Sequence, residues 1–255
     1  LESSPDEVNH RDDLYLEQVR LNNLTGREEK ALEMILSRKF HPWEGGEGRV
    51  SGQYLLSCTA LARKALHAGK RERAIEYLES TFSYPHNLGE GKLFGTREND
   101  IHYLLGCARE GLGEHEKARE SWEKAASGSY EPDIALYYND QHPDKIFYQG
   151  LALDALGKKE EAESRFRELV EYGSSRLGNP FRIDYFAVSL PDLMIFDEDL
   201  QKRYDLNCHY LIALGYLGLG NSEEAQKHLE LVLEADCCHE GALVHLYPFP
   251  RSNRK

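Results

Sequence analysis

Leu105-Gly106-Cys107-Ala108-Arg109-Glu110-Gly111-Leu112-Gly113-Glu114-His115-Glu116-Lys117-Ala118-Arg119-Glu120-Ser121-Trp122 reads as two helices broken at a glycine. Each residue type in the break has a physical cause. Gly113 supplies the left-handed conformation that ends a helix without a Cβ penalty. Glu114 and Glu116 place negative charge where the N-terminal dipole of the second helix favours it. Ala118, five positions beyond the glycine, lets two antiparallel helices approach closely, and Trp122, four further on, fills the space between them.

The same arrangement occurs five times, with turn glycines Gly26, Gly69, Gly113, Gly157 and Gly220 spaced 43, 44, 44 and 63 residues apart. The small residue is Ala31, Ala74, Ala118, Ala162 or Ala225, and the filling residue is Ile35, Leu78, Trp122, Phe166 or Leu229. Apolar residues recur at helical spacing, as in Ala162, Phe166, Leu169 and Val170, which makes the helices amphipathic. The pattern resembles the tetratricopeptide repeat family. That resemblance implies an all-α, right-handed superhelical solenoid of about five helix pairs, placed near residues 12–39, 54–83, 99–127, 143–172 and 204–235. Residues 1–11 are expected to form a disordered or extended leader and 239–255 a C-terminal tail, with the solenoid over 12–238. The family unit is about 34 residues, so roughly ten residues are inserted between consecutive pairs. The longer insert, 173–203, has room for an extra helix from Leu190 to Leu200.

Equivalent inserts emerge on one side of a stack of helix pairs, a common place for binding. The first is Phe40-His41-Pro42-Trp43-Glu44-Gly45-Gly46-Glu47-Gly48-Arg49-Val50 and the second is Tyr84-Pro85-His86-Asn87-Leu88-Gly89-Glu90-Gly91-Lys92-Leu93. Both carry an aromatic, a His, a Pro and then Gly-Glu-Gly followed by a basic and an apolar residue. Gly-Glu-Gly beside an aromatic and a His can present a carboxylate rigidly next to a stacking surface, which is how sugars are held. Trp43, Glu44, Glu47, Arg49, His86 and Glu90 are therefore candidate ligand contacts. The same residues serve equally well as covers for exposed repeat edges, with the glycines only making tight turns. The first insert, followed by helical repeats, also resembles the C-terminal repeat region of large bacterial proteins of the DUF5107 family. That resemblance implies a fragment of a longer, carbohydrate-linked protein whose β-sandwich and any catalytic residues lie outside this chain. The absence of an initiator Met fits the same expectation.

The first helix of each pair lines the concave groove of such a solenoid, which nominates Arg20, Arg63, Tyr103, Phe147 and Tyr210 for a peptide, a partner helix or a neighbouring domain. Repeat domains that clamp a C-terminal carboxylate use a cluster of Lys, Arg and Asn. Only Arg20 and Arg63 match in kind, so that partner class is not expected.

Composition sets the outer limits. With 44 acidic and 31 basic side chains the formal charge is −13, which disfavours nucleic acid and anionic membranes as partners. The longest apolar run, from Leu211 to Gly220, is about half of the roughly 20 residues needed to cross a bilayer. Five cysteines suit a reducing, cytoplasmic setting better than a disulfide framework. Cys237-Cys238-His239-Glu240 has ligand-like residues but no second pair, and reads as a helix end with partly buried thiols. Cys208-His209 reads as core or groove packing. There is no P-loop, Gly-x-Gly-x-x-Gly or His-Glu-x-x-His motif. No catalytic residue, metal or cofactor is therefore assigned. A non-catalytic interaction or interdomain module is the expected function, and a carbohydrate-binding accessory region is the alternative.

Overall fold

The structure, a computed structural model, describes residues 5–43, 46–93, 95–133, 142–181 and 199–246. Among these residues all regular secondary structure is helical, with no strand. The helices are α1 (Pro5–His10), α2 (Asp12–Leu24), α3 (Glu28–Ser37), α4 (Arg49–His67), α5 (Arg71–Ser80), α6 (Asn99–Gly111), α7 (His115–Ala125), α8 (Pro143–Ala155), α9 (Lys159–Arg176), α10 (Leu200–Leu219), α11 (Ser222–Ala235) and α12 (Glu240–His245). One turn of 3-10 helix covers His86–Leu88. No helix among the described residues is long and apolar enough to cross a membrane.

The five expected pairs are α2–α3, α4–α5, α6–α7, α8–α9 and α10–α11. Every turn glycine between them has a positive φ: 77° at Gly26, 71° at Gly69, 77° at Gly113, 81° at Gly157 and 80° at Gly220. All five alanines of the motif and all five filling residues are buried. The close approach has a further component. A Cβ on Gly106 would lie 2.3 Å from Trp122 Nε1, and one on Gly150 would lie 2.3 Å from Phe166 Cε1. The glycines of the first helices thus make room for the large residues of the second helices, as ridge-into-groove packing demands.

The chain divides into two compact units. One comprises Leu1–Thr96 and Cys107–Glu114, the other Arg97–Gly106 and His115–Lys255. In the first, Leu16, Val19, Ala31, Met34, Ile35, Phe40, Val50, Tyr54, Cys58 and Leu88 form a buried apolar cluster. In the second, the core is made by Trp122, Tyr103, Tyr148, Phe147, Ile146 and Leu169 with the helices that carry them.

Both ends of the expected organisation need correction. Residues 5–10 of the supposed leader form α1, with Asp6 and Glu7 in its first turn and Val8 buried. Pro5 at the helix start and the acidic first turn are good initiation chemistry, and Val8 supplies the apolar anchor. In the supposed tail, residues 240–245 form α12, whose N-terminus is capped by His239 Nδ1 accepting from the Ala242 N–H at 3.0 Å. The Leu190–Leu200 helix lies outside the described residues except at Asp199 and Leu200, and Leu200 opens α10. Asp199 is the N-cap there, accepting from the Lys202 N–H at 3.0 Å.

Candidate functional site

The first two inserts meet in the first unit, and their chemistry is largely spent on the fold. The Phe40 N–H donates to the Asn87 carbonyl at 2.7 Å. Asn87 in turn donates its side-chain amide to the carbonyls of Ile35 and Arg38, both at 2.8 Å, satisfying acceptors that the end of α3 leaves open. Gly89, at φ 74°, sits so close that a Cβ there would lie 2.6 Å from the Phe40 carbonyl oxygen.

Glu90 completes the junction. Its carboxylate accepts from the Gly48 N–H at 2.8 Å and the Ser51 N–H at 2.6 Å, both at the N-terminus of α4. A carboxylate at this end satisfies two orphan donors and lies favourably in the helix dipole. This explains why α4 begins at Arg49 rather than near residue 54. Replacing Glu90 by Ala should cost about 1–2 kcal/mol by loss of a charged cap, read from the denaturant midpoint of the full chain.

Trp43 is half-buried against the apolar cluster, and its indole lies over Gly46, where a Cβ would meet Cε2 at 2.1 Å. Glu47 and Arg49 are exposed at the turn and first residue of α4, and His86 is exposed in the 3-10 turn. Glu44 lies outside the described residues. Thus Trp43 and Glu90 are engaged in packing and capping, while Glu47, Arg49 and His86 face solvent. His41, which shares the aromatic-His pattern, joins Asp12 instead. The Asp12 carboxylate accepts from Arg38 Nε at 2.6 Å and from the His41 N–H at 2.9 Å, with His41 Nδ1 at 3.1 Å.

Burial pushes the Asp12 carboxyl up, but the His41 N–H, the Arg38 guanidinium and the His41 ring outweigh it and hold it below the usual carboxylate range. A depressed folded value contributes stability that is fully present above the unfolded pKa of about 4 and is lost as pH falls through the folded value. Asp12→Asn should therefore cost about 1–2 kcal/mol at neutral pH. The gap between variant and wild type should close below about pH 4 in parallel urea titrations.

The residues expected to line a groove behave differently. Arg20, on α2, is half-buried and donates to Glu17 at 3.0 Å; Arg63, on α4, is also half-buried. Tyr103, Phe147 and Tyr210 are buried, at 1%, 1% and 6% exposure. The Tyr103 ring packs 5.8 Å from that of Tyr148. Phe147 and Tyr210 are covered by α12, the segment the sequence presents as tail. His245 places its ring 5.5 Å from Phe147 and 5.9 Å from Tyr210, and is 3% exposed. Its Nδ1 is 2.7 Å from the Gly241 carbonyl and 3.0 Å from the Tyr210 hydroxyl, and its Nε2 is 3.3 Å from the Tyr148 hydroxyl. The Gly241 carbonyl can only accept, so the proton resides on Nδ1 and Tyr148 donates to Nε2. Gly241 is needed beneath Tyr210, because a Cβ there would lie 2.5 Å from its hydroxyl oxygen.

Two polar groupings escaped sequence reasoning. Lys145 on α8 bridges Asp100 at 2.7 Å and Asp144 at 3.4 Å, all three largely buried. His209 on α10 and His228 on α11 bring Nδ1 atoms within 2.9 Å of one another. The contacts between helices have no local sequence signal, since Asp100 reaches Lys145 from α6 and His228 reaches His209 from α11. No group of three or more His, Cys, Asp or Glu side chains suited to a metal occurs among the described residues.

Burial pushes the thiols of Cys58 and Cys208 up to about 11, which makes them poor nucleophiles. Cys237 is exposed and Cys238 half-buried. A native thiol titration should therefore label Cys237 first and leave Cys58 and Cys208 protected until unfolding.

Against this geometry the comparisons are informative at the level of the repeat. Residues 100–127 and 206–236 match one tetratricopeptide repeat family, and residues 146–172 match a second. These segments coincide with α6–α7, α10–α11 and α8–α9, so three of the five helix pairs match tetratricopeptide repeats. Among solved structures the chain is similar to YrrB, described as a TPR protein with an unusual peptide-binding site, at 15% identity over 95% of each chain and a TM-score of 0.33. It is also similar to MamA, at 15% identity over 84% of this chain and 92% of that one, with a TM-score of 0.29. A further MamA structure, MSR-1, shares 18% identity over 87% and 94% of the two chains, with a TM-score of 0.31. The fold assignment rests on the repeats and their packing rather than on these likenesses.

Proposed function

We propose that the chain is a non-catalytic protein-interaction module whose partner is a peptide or a neighbouring folded domain. The observation that carries this reading is the coincidence of three tetratricopeptide matches with three helix pairs packed in the repeat register. Tyr103, Phe147 and Tyr210 are buried, which moves the proposed contacts to groups that solvent reaches. Those are Arg20 and Arg63 on the first helices of the first two pairs, with Arg49, Glu47 and His86 on the insert edge.

The alternative, a carbohydrate-binding accessory region, draws on Trp43, Glu47, His86 and Glu90. It is weakened because both Glu90 oxygens already accept backbone N–H groups, so a sugar hydroxyl would have to displace a helix cap. A display selection of random peptides on the full chain tests the interaction reading. Peptides should be recovered that lose at least tenfold in affinity on Arg20→Glu with Arg63→Glu. Peptides unaffected by both changes would remove these residues from the binding surface, and failure to select any peptide or domain would count against the module itself.

A further inference from the structure

The last repeat contains a polar contact that neither packing nor the interaction function uses. His209 lies in the interior of α10 and His228 in α11, so their rings meet across the helix pair. The ring centroids are 5.0 Å apart and the Nδ1 atoms 2.9 Å apart. Both rings are half-buried, and neither makes another hydrogen bond among the described residues. Tyr216 walls one side, with its ring 6.2 Å from that of His228. Each histidine follows a carboxylate by one helical turn: Asp205 precedes His209 and Glu224 precedes His228. Burial holds both imidazoles below the usual histidine range, helped at His228 by His209 and Lys227, while Asp205 and Glu224 oppose it.

A hydrogen bond between two Nδ1 atoms uses one N–H and one lone pair, so it satisfies only one nitrogen of each imidazole. The separation has a second meaning. Imidazole nitrogens bind a divalent metal at about 2.0–2.1 Å, and two such nitrogens at adjacent corners of a tetragonal site lie about 2.9 Å apart. A tetrahedral ion would ask for a spacing about 0.4 Å wider. We propose that His209 and His228 form a two-nitrogen site for a divalent transition-metal ion of tetragonal preference, Cu(II) or Ni(II), with water completing the coordination.

Binding needs no net proton transfer to solvent. The ring that carries its proton on Nδ1 shifts to the Nε2–H tautomer, and both Nδ1 lone pairs then face the ion. The nearby carboxylates raise the local cation concentration without ligating, since Asp205 accepts from the Gly178 N–H and from Gln201, and Glu224 accepts from Lys227. Because the two ligands belong to different helices, the ion cross-links α10 to α11 in the folded chain alone and stabilises it by mass action.

The test uses the full chain with Cys237→Ser and Cys238→Ser, which removes the accessible thiols. Titration with CuCl2 should show one saturable site, and electron paramagnetic resonance of the bound Cu(II) should show coupling to two imidazole nitrogens. His209→Asn and His228→Asn, each with the parent circular dichroism, should weaken that site at least tenfold. His67→Asn, at an exposed histidine on α4, should leave it unchanged. NiCl2 should raise the thermal midpoint of the parent and not of either variant. Coupling to a single nitrogen in the parent would overturn the site without reference to any variant. So would Cu(II) affinity that survives both substitutions or that follows His67.

Discussion

Lys145→Met should destabilise the second unit by about 3 kcal/mol, among the largest losses available to a single substitution here. Lys145 is 19% exposed, between Asp100 at 15% and Asp144 at 25%. Burial pushes the lysine down, but the two carboxylates outweigh it and hold it above its ordinary value. Asp144 is likewise pushed up by burial and brought below the usual range chiefly by Lys145. Methionine keeps the volume and removes the charge, leaving two buried carboxylates without their cation. The sign of the pH dependence follows. Asp144 is depressed in the fold, so its contribution is complete above about pH 4 and disappears as pH falls through the folded value. The variant's deficit should therefore shrink in acid, as the stranded carboxylates protonate. A constant deficit from pH 7 to pH 3, measured by urea unfolding, would show that the triad acts by packing and not by charge.

Trp122→Ala should cost about 3–5 kcal/mol, because a fully buried indole leaves a cavity that the two helices of the third pair cannot close. Its partner across the pair is Gly106. Gly106→Ala alone should cost about 1–3 kcal/mol by overpacking, since its new Cβ would meet the indole at 2.3 Å. In the double variant the added methyl enters space that the indole has left, so the two losses should fall short of their sum by about 1–3 kcal/mol. Additive losses would mean that these residues do not face each other. The same cycle at Gly150 and Phe166 repeats the test one pair later.

How much of this was legible depended on distance along the chain. The helix pair is a local object: a turn glycine, an alanine five residues on and a bulky residue four beyond that impose one geometry, and all five copies take it. The spacing of the glycines also located the inserts. The first insert is shorter than its spacing suggests, because α4 begins at Arg49 within it, and the purpose of its residues and of the second insert's is not legible locally. Glu90 looks like a presented carboxylate because Gly-Glu-Gly exposes side chains in general. That it reaches the start of α4, 42 and 39 residues away, is a long-range fact with no local signal. Asn87, which closes the end of α3 from 52 and 49 residues away, has no local signal for the same reason.

Tyr103, Phe147 and Tyr210 lie on the first helices of their pairs, as the repeat register predicts, but they are buried rather than open to solvent. The helix that covers the last two, α12, is six residues long, too short to leave a periodic signature. His245 carries no mark in the sequence of being a core residue. The division into two units was equally invisible, because the repeat spacing runs evenly through Gly69, Gly113 and Gly157 while the boundary falls within α6.

Asn87 and Glu90 tie the first two inserts to α3 and α4, which leaves little of their chemistry for a sugar. The chain has two tryptophans. Trp122 is fully buried while Trp43 is half-exposed, so intrinsic fluorescence under ligand titration reports on the insert. Oligosaccharides should leave the Trp43 emission unchanged, while a peptide selected on the chain binds in a manner that depends on Arg20 and Arg63. A saturable change with an oligosaccharide that is lost in Glu47→Gln would show instead that the first insert binds carbohydrate.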